Sequence, residues 1–276
     1  MPSAPDDHPT IGAVVAPEVH FATLNLRRRV PHAPGHPDAW ERRRDAVVAL
    51  VASEQPTVLA VQEALPTQTA DLTARLGSRW EPVVAGRGRR GGGEAVGLFL
   101  DRERLDVVER RTWALSRTPS RPGSRSWATA FPRHAVGAVV ADRATGQQFT
   151  AIATHLDVAS SWARLRGAQL LGRIVRERGL PAVVMADWNC PAGSAPWRSL
   201  AEAGVVDSWG RASRQVGEAY GTYPHYREPR VGGRRIDGVL VTEDAVVDRV
   251  AVNVRRPGGV WPSDHAAVHA VVRWTS

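Results

Sequence analysis

Short apolar runs recur along this 276-residue chain, bounded by glycine, proline or charged residues. Runs of about four to eight apolar residues with such boundaries are typical of buried β-strands. They predict strands near residues 19–26, 57–61, 95–100, 105–108, 134–142, 147–153, 182–186, 235–241, 246–254 and 266–273. Strands therefore dominate the chain, and a fold built on β-sheets is expected.

A few longer segments have helical spacing instead. Asp38 is expected to cap a helix, and Gly179 stands where a helix C-cap is expected. The predicted helices cover residues 38–53, 66–76 and 160–178, with a short one after Pro196. Two strand-rich halves that each carry helices favour layered sheets with the helices outside.

The length favours one large α/β domain, and we predict a flexible tail over residues 1–17 and a domain over residues 18–276. No apolar run approaches the ~20 residues that cross a bilayer. Asp6 and Asp7 stand where a signal peptide would be positively charged. Cys190 is the only cysteine, which excludes an internal disulfide. We therefore expect a cytoplasmic monomer without membrane contact.

The basic charge of the chain has two interpretations. A formal net charge of +8 favours a polyanionic partner such as nucleic acid. All 36 basic residues are arginine, however, and this skew also fits a bias in the codon composition of the source. The charge alone does not decide between the two.

Polar side chains stand where many of the apolar strands end. They are Asn25, Glu63, His155, Asp187, Asn189, Asp237, Asp264 and His265. In sheet-based α/β folds, ligand and catalytic groups gather at one rim of the sheet. Carboxylate and carboxamide oxygens suit Mg²⁺ or Mn²⁺ better than Zn²⁺.

Each of these residues alone also fits a structural role. Asparagine, aspartate and serine are common in turns, and a glutamate after a strand is commonly solvated. Asp237 can form an ion pair with the neighbouring Arg234 or Arg235, and His155 alone fits a hydrogen-bonded core histidine. Their joint occurrence in a fixed order favours a functional site over separate structural roles.

Six short motifs in order carry a family resemblance. They are L-N, Q-E, T-H-L-D, D-W-N, R-I-D and S-D-H, between about residues 20 and 273. This order resembles the endonuclease/exonuclease/phosphatase superfamily, which includes DNase I, abasic-site endonucleases, neutral sphingomyelinases, deadenylases and inositol polyphosphate 5-phosphatases. The resemblance implies an α/β (α+β) fold, a four-layer sandwich of two mainly antiparallel sheets packed face to face with helices outside.

Further blocks are similar to a bacterial branch of this superfamily whose substrates are largely unassigned. They include the helix opening with Trp40 and Arg43, G-G-G-E-A-V-G-L-F, W-A-L-S, P-G-S and F-P-R. The chain departs from that pattern at Ala186, where glycine is common, and at Gly238, where an aromatic residue is common. The second departure concerns one wall of the expected pocket.

The resemblance implies a metal and a nucleophile. It makes Glu63 the principal ligand of Mg²⁺ or Mn²⁺, with Asn25 and Asp264 completing the metal's surroundings. Asp187 is expected to orient and deprotonate the attacking water, and Asn189 to donate a hydrogen bond to a phosphoryl oxygen.

Two carboxylate–histidine pairs are expected beside the metal. Asp237 is predicted to orient His265, and Glu94 to orient His155, although Glu94 also fits a solvated residue beside neighbouring arginines. Which histidine is the acid and which is the base stays open.

Arg133 and Tyr223 are expected to contact the substrate, although Tyr223, in the loop before R-I-D, also fits a residue that only packs. The function expected from these residues is a divalent-metal-dependent phosphodiesterase of the nuclease type. A phosphomonoesterase acting on a small phosphorylated substrate, and a non-catalytic nucleic-acid-binding protein, are the alternatives. A serine hydrolase is disfavoured because no G-x-S-x-G motif occurs.

Overall fold

The computed structural model of the chain describes residues 8–33 and 35–274. Its strands are β1 Val19–Asn25, β2 Val58–Ala64, β3 Trp80–Gly86, β4 Ala95–Asp101, β5 Leu105–Ala114, β6 His134–Asp142, β7 Gln148–His155, β8 Ala182–Asp187, β9 Val205–Asp207, β10 Arg214–Val216, β11 Asp237–Thr242, β12 Ala245–Asn253 and β13 Ala267–Trp274. Its helices are α1 Trp40–Glu54, α2 Pro66–Leu76, α3 Ser161–Arg178, α4 Ala195–Ala201 and α5 Ser208–Arg211, with a 3₁₀ turn at Pro257–Gly259.

The strands form two sheets with mainly antiparallel neighbours. The first has seven strands in the order β10-β12-β13-β1-β2-β4-β3, and the second has six in the order β5-β6-β7-β8-β11-β9. Two parallel pairs, β1 with β2 and β7 with β8, bring strand ends to a common rim. Antiparallel β13 and β11 begin at that rim, beside β1 and β8.

Three apolar clusters separate the layers. Phe21, Leu98, Phe149 and Met185 belong to the cluster between the two sheets, and each is completely buried. A second cluster lies under α3 and α4, and a third lies under α1 and α2. Helix, sheet, sheet and helix therefore stack in that order, which confirms the predicted four-layer α/β sandwich.

The helix ends follow ordinary capping chemistry at α3. The Ser160 hydroxyl accepts a hydrogen bond from the Ala163 N–H at 3.1 Å, and Gly179 has a φ of 61° after the last turn. At α1 the predicted cap is wrong, because Ala39 occupies the N-cap position. The Asp38 carboxylate instead accepts hydrogen bonds from Arg27 and from the hydroxyl of Tyr226.

Four strands differ from the sequence-based expectation, and they are the four edge strands of the two sheets. The three-residue strands β9 and β10 were not expected. The expected strands did not include β3, which contains Pro82; an edge strand tolerates a residue without an N–H. β5 continues to Ala114, past the predicted end near residue 108. The added part is rich in charged residues that are exposed at the edge, so it lacks the apolar signal of a central strand.

Part of the predicted flexible tail is tied to the domain. Residues 1–7 lie outside the described residues, but the backbone N–H groups of Thr10, Ile11 and Gly12 donate to the Glu54 carboxylate at 2.6 to 3.0 Å. Within residues 8–33 and 35–274, no helix has the length and apolar character to span a membrane.

Candidate functional site

The polar residues at the strand ends meet at one rim of the two sheets. Asn25 ends β1 in the first sheet, and Asp187 ends β8 in the second. The Asn25 amide donates to Asp187 Oδ2 at 3.0 Å and to Glu63 Oε1 at 3.1 Å. Because these bonds join both sheets, the site lies where the sheets open at their rim.

Two of these residues have an unusual backbone conformation. Glu63 has a φ of 60° and Asn189 has a φ of 51°, in the left-handed region that favours glycine. Glu63 lies where the pairing of β2 with β4 becomes irregular, and the Asn189 N–H donates to Asp187 Oδ1 at 2.9 Å. Such strain costs on the order of 1–3 kcal/mol per residue and is concentrated at functional sites.

The pair of Asp237 and His265 is present as expected. His265 Nδ1 donates to Asp237 Oδ2 at 2.9 Å, and both residues are buried. Burial alone would lower the pKa of His265, but the charges of Asp237 and Asp187 and the hydrogen bond to Asp237 raise this pKa to about 10. His265 is therefore held in one orientation, and the neighbouring carboxylates favour its protonated form.

The second histidine is held differently from the expectation. His155 Nε2 accepts a hydrogen bond from the Asn189 amide at 2.7 Å, and the same amide nitrogen donates to the Leu156 carbonyl at 3.0 Å. Both N–H groups of the Asn189 amide are thereby used, so in this arrangement neither points to a phosphoryl oxygen. Burial lowers the pKa of His155 to about 4, although the Asp187 charge opposes it.

The predicted pairing of Glu94 with His155 is wrong. The Glu94 carboxylate accepts hydrogen bonds from Arg87 at 2.7 Å and from Arg28 at 3.2 Å. Each carboxylate oxygen thus accepts a charge-assisted bond from a guanidinium group, and such a bond is stronger than one from a neutral imidazole. Glu94 still lines the same cleft as His155, where it orients cationic side chains.

Asp187 lies between the two imidazoles. Its Oδ2 atom is 3.4 Å from His155 Nε2 and 3.8 Å from His265 Nε2. Burial and the charge of Asp237 raise the pKa of Asp187, while the two histidines and the Asn25 amide oppose that rise. Asp187 therefore lies near both histidines, while Asp237 orients His265 and Asn189 holds His155.

Asp264 reaches the site through a serine turn. The Ser263 hydroxyl donates to the Asn25 carbonyl at 2.6 Å, which fixes the start of β13 against the end of β1. Burial raises the pKa of Asp264, and the Glu63 charge adds to this, while His265 and Arg27 oppose it. The Asp264 carboxylate has its closest cation, Arg27 Nε, at 3.8 Å.

A cleft of ≈ 370 Å³ opens over these residues. The expected substrate contacts line it: Arg133 is buried, with its Nε 3.6 Å from Asp157 Oδ2, and the Tyr223 ring lies 4.7 Å from the ring of His265. Tyr223 is 47% exposed, so one face of this ring is accessible from the cleft.

Other cleft residues were not identified from the sequence. Arg27, Arg28 and Arg87 line the cleft, and the Arg87 guanidinium lies 4.4 Å from the centre of the Phe131 ring. The available signal was the Arg27–Arg29 run directly after the L-N motif. In a chain with 36 arginines, that signal does not stand out.

The donor set fits a hard divalent cation. Ligand atoms of Asp187, Asp237 and His265 lie within 4.8 Å of one another. The Asp237–His265 hydrogen bond already occupies part of that group. Among the described residues, Glu63 forms no ion pair, and the cation nearest to the Asp264 carboxylate is Arg27, with its Nε at 3.8 Å. Buried carboxylates that repel one another are stabilised by a dication.

The departure at Gly238 does not alter the cleft. A Cβ at Gly238 would lie 2.6 Å from the indole of Trp197, which belongs to α4 and packs on the outer face of the sheet. Trp197 fills the space on that side of β11, so a larger residue at Gly238 would collide with it. The departure at Gly238 therefore concerns the outer face of β11, and neither Gly238 nor Trp197 lines the cleft.

Comparison with known proteins identifies the family. The profile described as the Endonuclease/Exonuclease/phosphatase family matches residues 22–265. A search of curated proteins gives no match.

Solved structures agree with the family match over almost the whole chain. An endonuclease/exonuclease/phosphatase from Bacteroides vulgatus is 27% identical with a TM-score of 0.86, covering 94% of this chain and 99% of that chain. A mannosyl-6-phosphatase from Bacteroides thetaiotaomicron is 24% identical with a TM-score of 0.85, covering 93% and 100%. D. rerio TDP2 complexed with single strand DNA product is 17% identical with a TM-score of 0.73, covering 93% and 99%.

The last two similarities, under 25% identity, show the fold alone. The profile match spans most of the chain and includes every residue at the rim from Asn25 to His265. Members of this family are hydrolases of phosphoester bonds. The chain belongs to the Endonuclease/Exonuclease/phosphatase family.

Proposed function

We propose that this chain is a divalent-metal-dependent phosphoester hydrolase that acts on phosphodiesters. The observation that carries the proposal is the position of Asp187, with its Oδ2 atom within 3.8 Å of both His155 and His265 at the base of an open cleft. A carboxylate between two imidazoles, in a cleft lined with arginines, matches the needs of proton transfer at an anionic ester.

Mg²⁺ or Mn²⁺ is proposed to be held by the carboxylates of Glu63 and Asp264 and by the side-chain oxygen of Asn25. A bound dication would neutralise charge on the phosphoryl group and polarise its oxygens. The strained backbone at Glu63 supports this role, because the left-handed conformation turns the side chain at the end of a buried strand.

Asp187 is the proposed acceptor of the proton from the attacking water, and Asn25 fixes its carboxylate by a 3.0 Å hydrogen bond. His265, oriented by Asp237, would donate from Nε2 to a phosphoryl or leaving-group oxygen. Asn189 would act as a positioning residue for His155, since both of its N–H groups are engaged.

A phosphomonoesterase is the second candidate. The cleft volume of ≈ 370 Å³ is at the small end of the range of about 300–1,000 Å³ for ligand pockets, which fits one phosphorylated sugar. The similarity in fold to a mannosyl-6-phosphatase is consistent with this candidate. The diester is preferred because half-exposed Tyr223 and Phe131 border the cleft and suit a second substituent on the phosphate.

Steady-state hydrolysis of two chromogenic esters separates the candidates. Bis-p-nitrophenyl phosphate and p-nitrophenyl phosphate are each offered with Mg²⁺, with Mn²⁺ and with EDTA. The proposal expects turnover that requires metal and a kcat/KM that favours the diester. A preference for the monoester would support the second candidate, and no EDTA-sensitive turnover of either ester would remove the hydrolase.

We also propose that the protein is a monomer of the reducing cytoplasm. Its single cysteine, Cys190, is buried and free, which suits a compartment where disulfides do not form. Light scattering of the purified protein tests the monomer, and a dimeric mass would contradict it.

A further inference from the structure

A second groove opens beside the catalytic cleft. It has a volume of ≈ 890 Å³ and is formed by the loop of residues 221–236. Tyr223 and Ile236 line both the groove and the cleft, so the two are continuous. A substrate held in the cleft can therefore extend into the groove without leaving the protein surface.

The groove carries positive charge that the protein leaves uncompensated. Arg227, Arg230 and Arg234 line it with exposed side chains, and within residues 8–33 and 35–274 none of them has a carboxylate within 4.0 Å. Glu228, the acidic residue in the lining, pairs with Arg256 at 2.6 Å. The three guanidinium groups thus keep their hydrogen-bonding capacity for a ligand.

Arginines of the catalytic cleft, unlike those of the groove, form ion pairs with carboxylates. Arg27 is bonded to Asp38 at 3.0 Å, and Arg87 is bonded to Glu94 at 2.7 Å. Those guanidinium groups are partly neutralised by the protein itself. The groove arginines are not, so anion binding there does not require an existing ion pair to break.

The loop that carries the arginines is fixed to the catalytic residues. The Thr222 hydroxyl accepts a hydrogen bond from the Asp237 N–H at 3.0 Å, and the Arg230 carbonyl accepts from Gly221 and Gly233 at 2.9 and 3.0 Å. A Cβ at Gly233 would lie 2.9 Å from that carbonyl, so the close backbone approach requires glycine. The backbone that carries the three arginines is therefore held at a defined position relative to Asp237.

We propose that the groove of Arg227, Arg230 and Arg234 is a second phosphate-binding subsite, and that the substrate carries a further phosphate beyond the scissile one. Guanidinium groups bind phosphate with paired, charge-assisted hydrogen bonds, which makes three free arginines in one groove a polyphosphate site. The inference rests on the proposed hydrolase function and names its substrate class. A single-stranded oligonucleotide supplies this chemistry for the proposed diesterase, and a small bisphosphate supplies it for the phosphomonoesterase that is the second candidate.

The test compares two triple variants of equal charge. R227Q/R230Q/R234Q removes the groove arginines. R166Q/R173Q/R176Q removes three exposed arginines from α3 on the outer helical layer, and serves as the matched control. Each protein is assayed with bis-p-nitrophenyl phosphate, an oligothymidylate and a hexose bisphosphate.

We expect a loss that is selective for substrates with a further phosphate. The groove variant should keep the wild-type kcat/KM on bis-p-nitrophenyl phosphate, which has a single phosphate. On the oligothymidylate or on the hexose bisphosphate, its kcat/KM should fall at least about ten-fold because charge-assisted contacts are lost. The substrate that shows the loss identifies the source of the phosphate, and the α3 control should lose neither.

Isothermal titration of both phosphate ligands in EDTA gives a readout independent of turnover. Wild type should bind one of them more tightly than the groove variant does. For the oligonucleotide, the slope of log K against log salt should shrink by about 0.7 for each arginine in contact. Equal affinity of wild type and groove variant for both ligands, or equal losses on all three substrates, would overturn the subsite.

The two proposals fail in different ways. If wild type hydrolyses no ester, the proposed function fails, while the titrations still decide whether the groove binds phosphate. If wild type hydrolyses bis-p-nitrophenyl phosphate and the groove variant matches it on every substrate and in both titrations, the subsite alone is wrong.

Discussion

The Asn25 amide donates a hydrogen bond to the Asp187 carboxylate at 3.0 Å, across the boundary between the two sheets. Asn25 belongs to the seven-stranded sheet and Asp187 to the six-stranded sheet. Neither sheet alone carries the carboxylates together with both histidines. The face-to-face packing of the sheets is therefore what assembles the site.

Asp187→Asn should reduce kcat for bis-p-nitrophenyl phosphate by about 10²–10⁴-fold, because the acceptor for the water proton is lost. The neutral amide keeps the size of the side chain, so thermal unfolding should stay close to wild type. Asp106→Asn is the control, since Asp106 is an exposed carboxylate that pairs with Arg143. Near-normal turnover in Asp187→Asn would assign the proton to another group.

Glu63→Gln should weaken Mn²⁺ binding at least about ten-fold, because a hard dication prefers an anionic oxygen ligand. Isothermal titration with Mn²⁺ measures this directly, and kcat at saturating ester should fall in parallel. Glu81→Gln tests the removal of a glutamate far from the cleft, where Glu81 contacts Arg110 on an edge strand. An unchanged Mn²⁺ affinity in Glu63→Gln would remove Glu63 from the ligands.

Arg43→Met should lower the free energy of unfolding by about 3 kcal/mol, because buried carbonyl groups lose their donor. Arg43 is completely buried, and its guanidinium donates to the carbonyls of Leu26 at 2.8 Å and Pro262 at 3.0 Å. It thereby ties the end of β1 to the turn before Asp264. Urea denaturation measures the loss.

The adjacent residue supplies the control for that variant. Arg42 is exposed and donates to the Gly35 carbonyl, so Arg42→Met should change the unfolding free energy by less than about 0.5 kcal/mol. Equal effects of the two substitutions would show that the buried hydrogen bonds of Arg43 do not hold the turn.

Stability should fall as the pH drops below about 6.5, because a buried histidine pair is held neutral. His20 Nε2 lies 2.9 Å from His269 Nδ1, and both are buried between Glu54, Asn253 and the backbone of Gly12. Burial and the neighbouring His269 lower the pKa of His20 to about 3, and burial lowers the pKa of His269.

The direction follows from proton binding. Between pH 6.5 and about 3 the unfolded chain binds a proton at His20 and the folded protein does not. The free energy of unfolding therefore falls with decreasing pH, by about 1 kcal/mol per pH unit for each histidine. Burial opposes the shift at Glu54, but the neighbouring His269 and the N–H groups of residues 10–12 lower the pKa of Glu54 to about 2, so its contribution is lost only in stronger acid.

Urea denaturation between pH 8 and pH 4 measures this fall in the free energy of unfolding, which is the acid limb of the curve of stability against pH. His20→Gln should reduce the slope of this limb, since glutamine does not titrate. His269 and the other buried histidines with a lowered pKa, His134 and His155, still contribute. The exposed His8 is the control position, and His8→Gln should leave the limb unchanged. A wild-type stability that is constant from pH 8 to pH 4 would contradict the account.

Sequence reasoning located the rim because strand periodicity and strand ends are local signals. Asn25, Glu63, Asp187 and Asp264 each end or precede an apolar run, and the sheet register brings those ends together. The partner of His265 came from the family resemblance, and the structure agrees with it because Asp237 begins the strand beside β8. These relationships depend on backbone pairing, which the apolar pattern specifies.

The partners of His155 could not be obtained in the same way. Glu94 lies near His155 in the cleft, but two arginines from different loops reach its carboxylate first. Asn189 holds His155 because its left-handed backbone turns the amide inward. Long side chains from loops compete for the same acceptors, and a sequence pattern does not rank them.

A double-mutant cycle on Asn25 and Asp187 tests most directly whether the two sheets build one catalytic unit. The measured quantity is kcat/KM for bis-p-nitrophenyl phosphate at saturating Mn²⁺, so that weaker metal binding by Asn25→Ala does not enter, for Asn25→Ala, Asp187→Asn and the double variant. The account predicts that the double variant is no slower than the slower single variant, because both changes disable the same carboxylate. Losses that multiply would show that the two residues act independently and would contradict a site shared by both sheets.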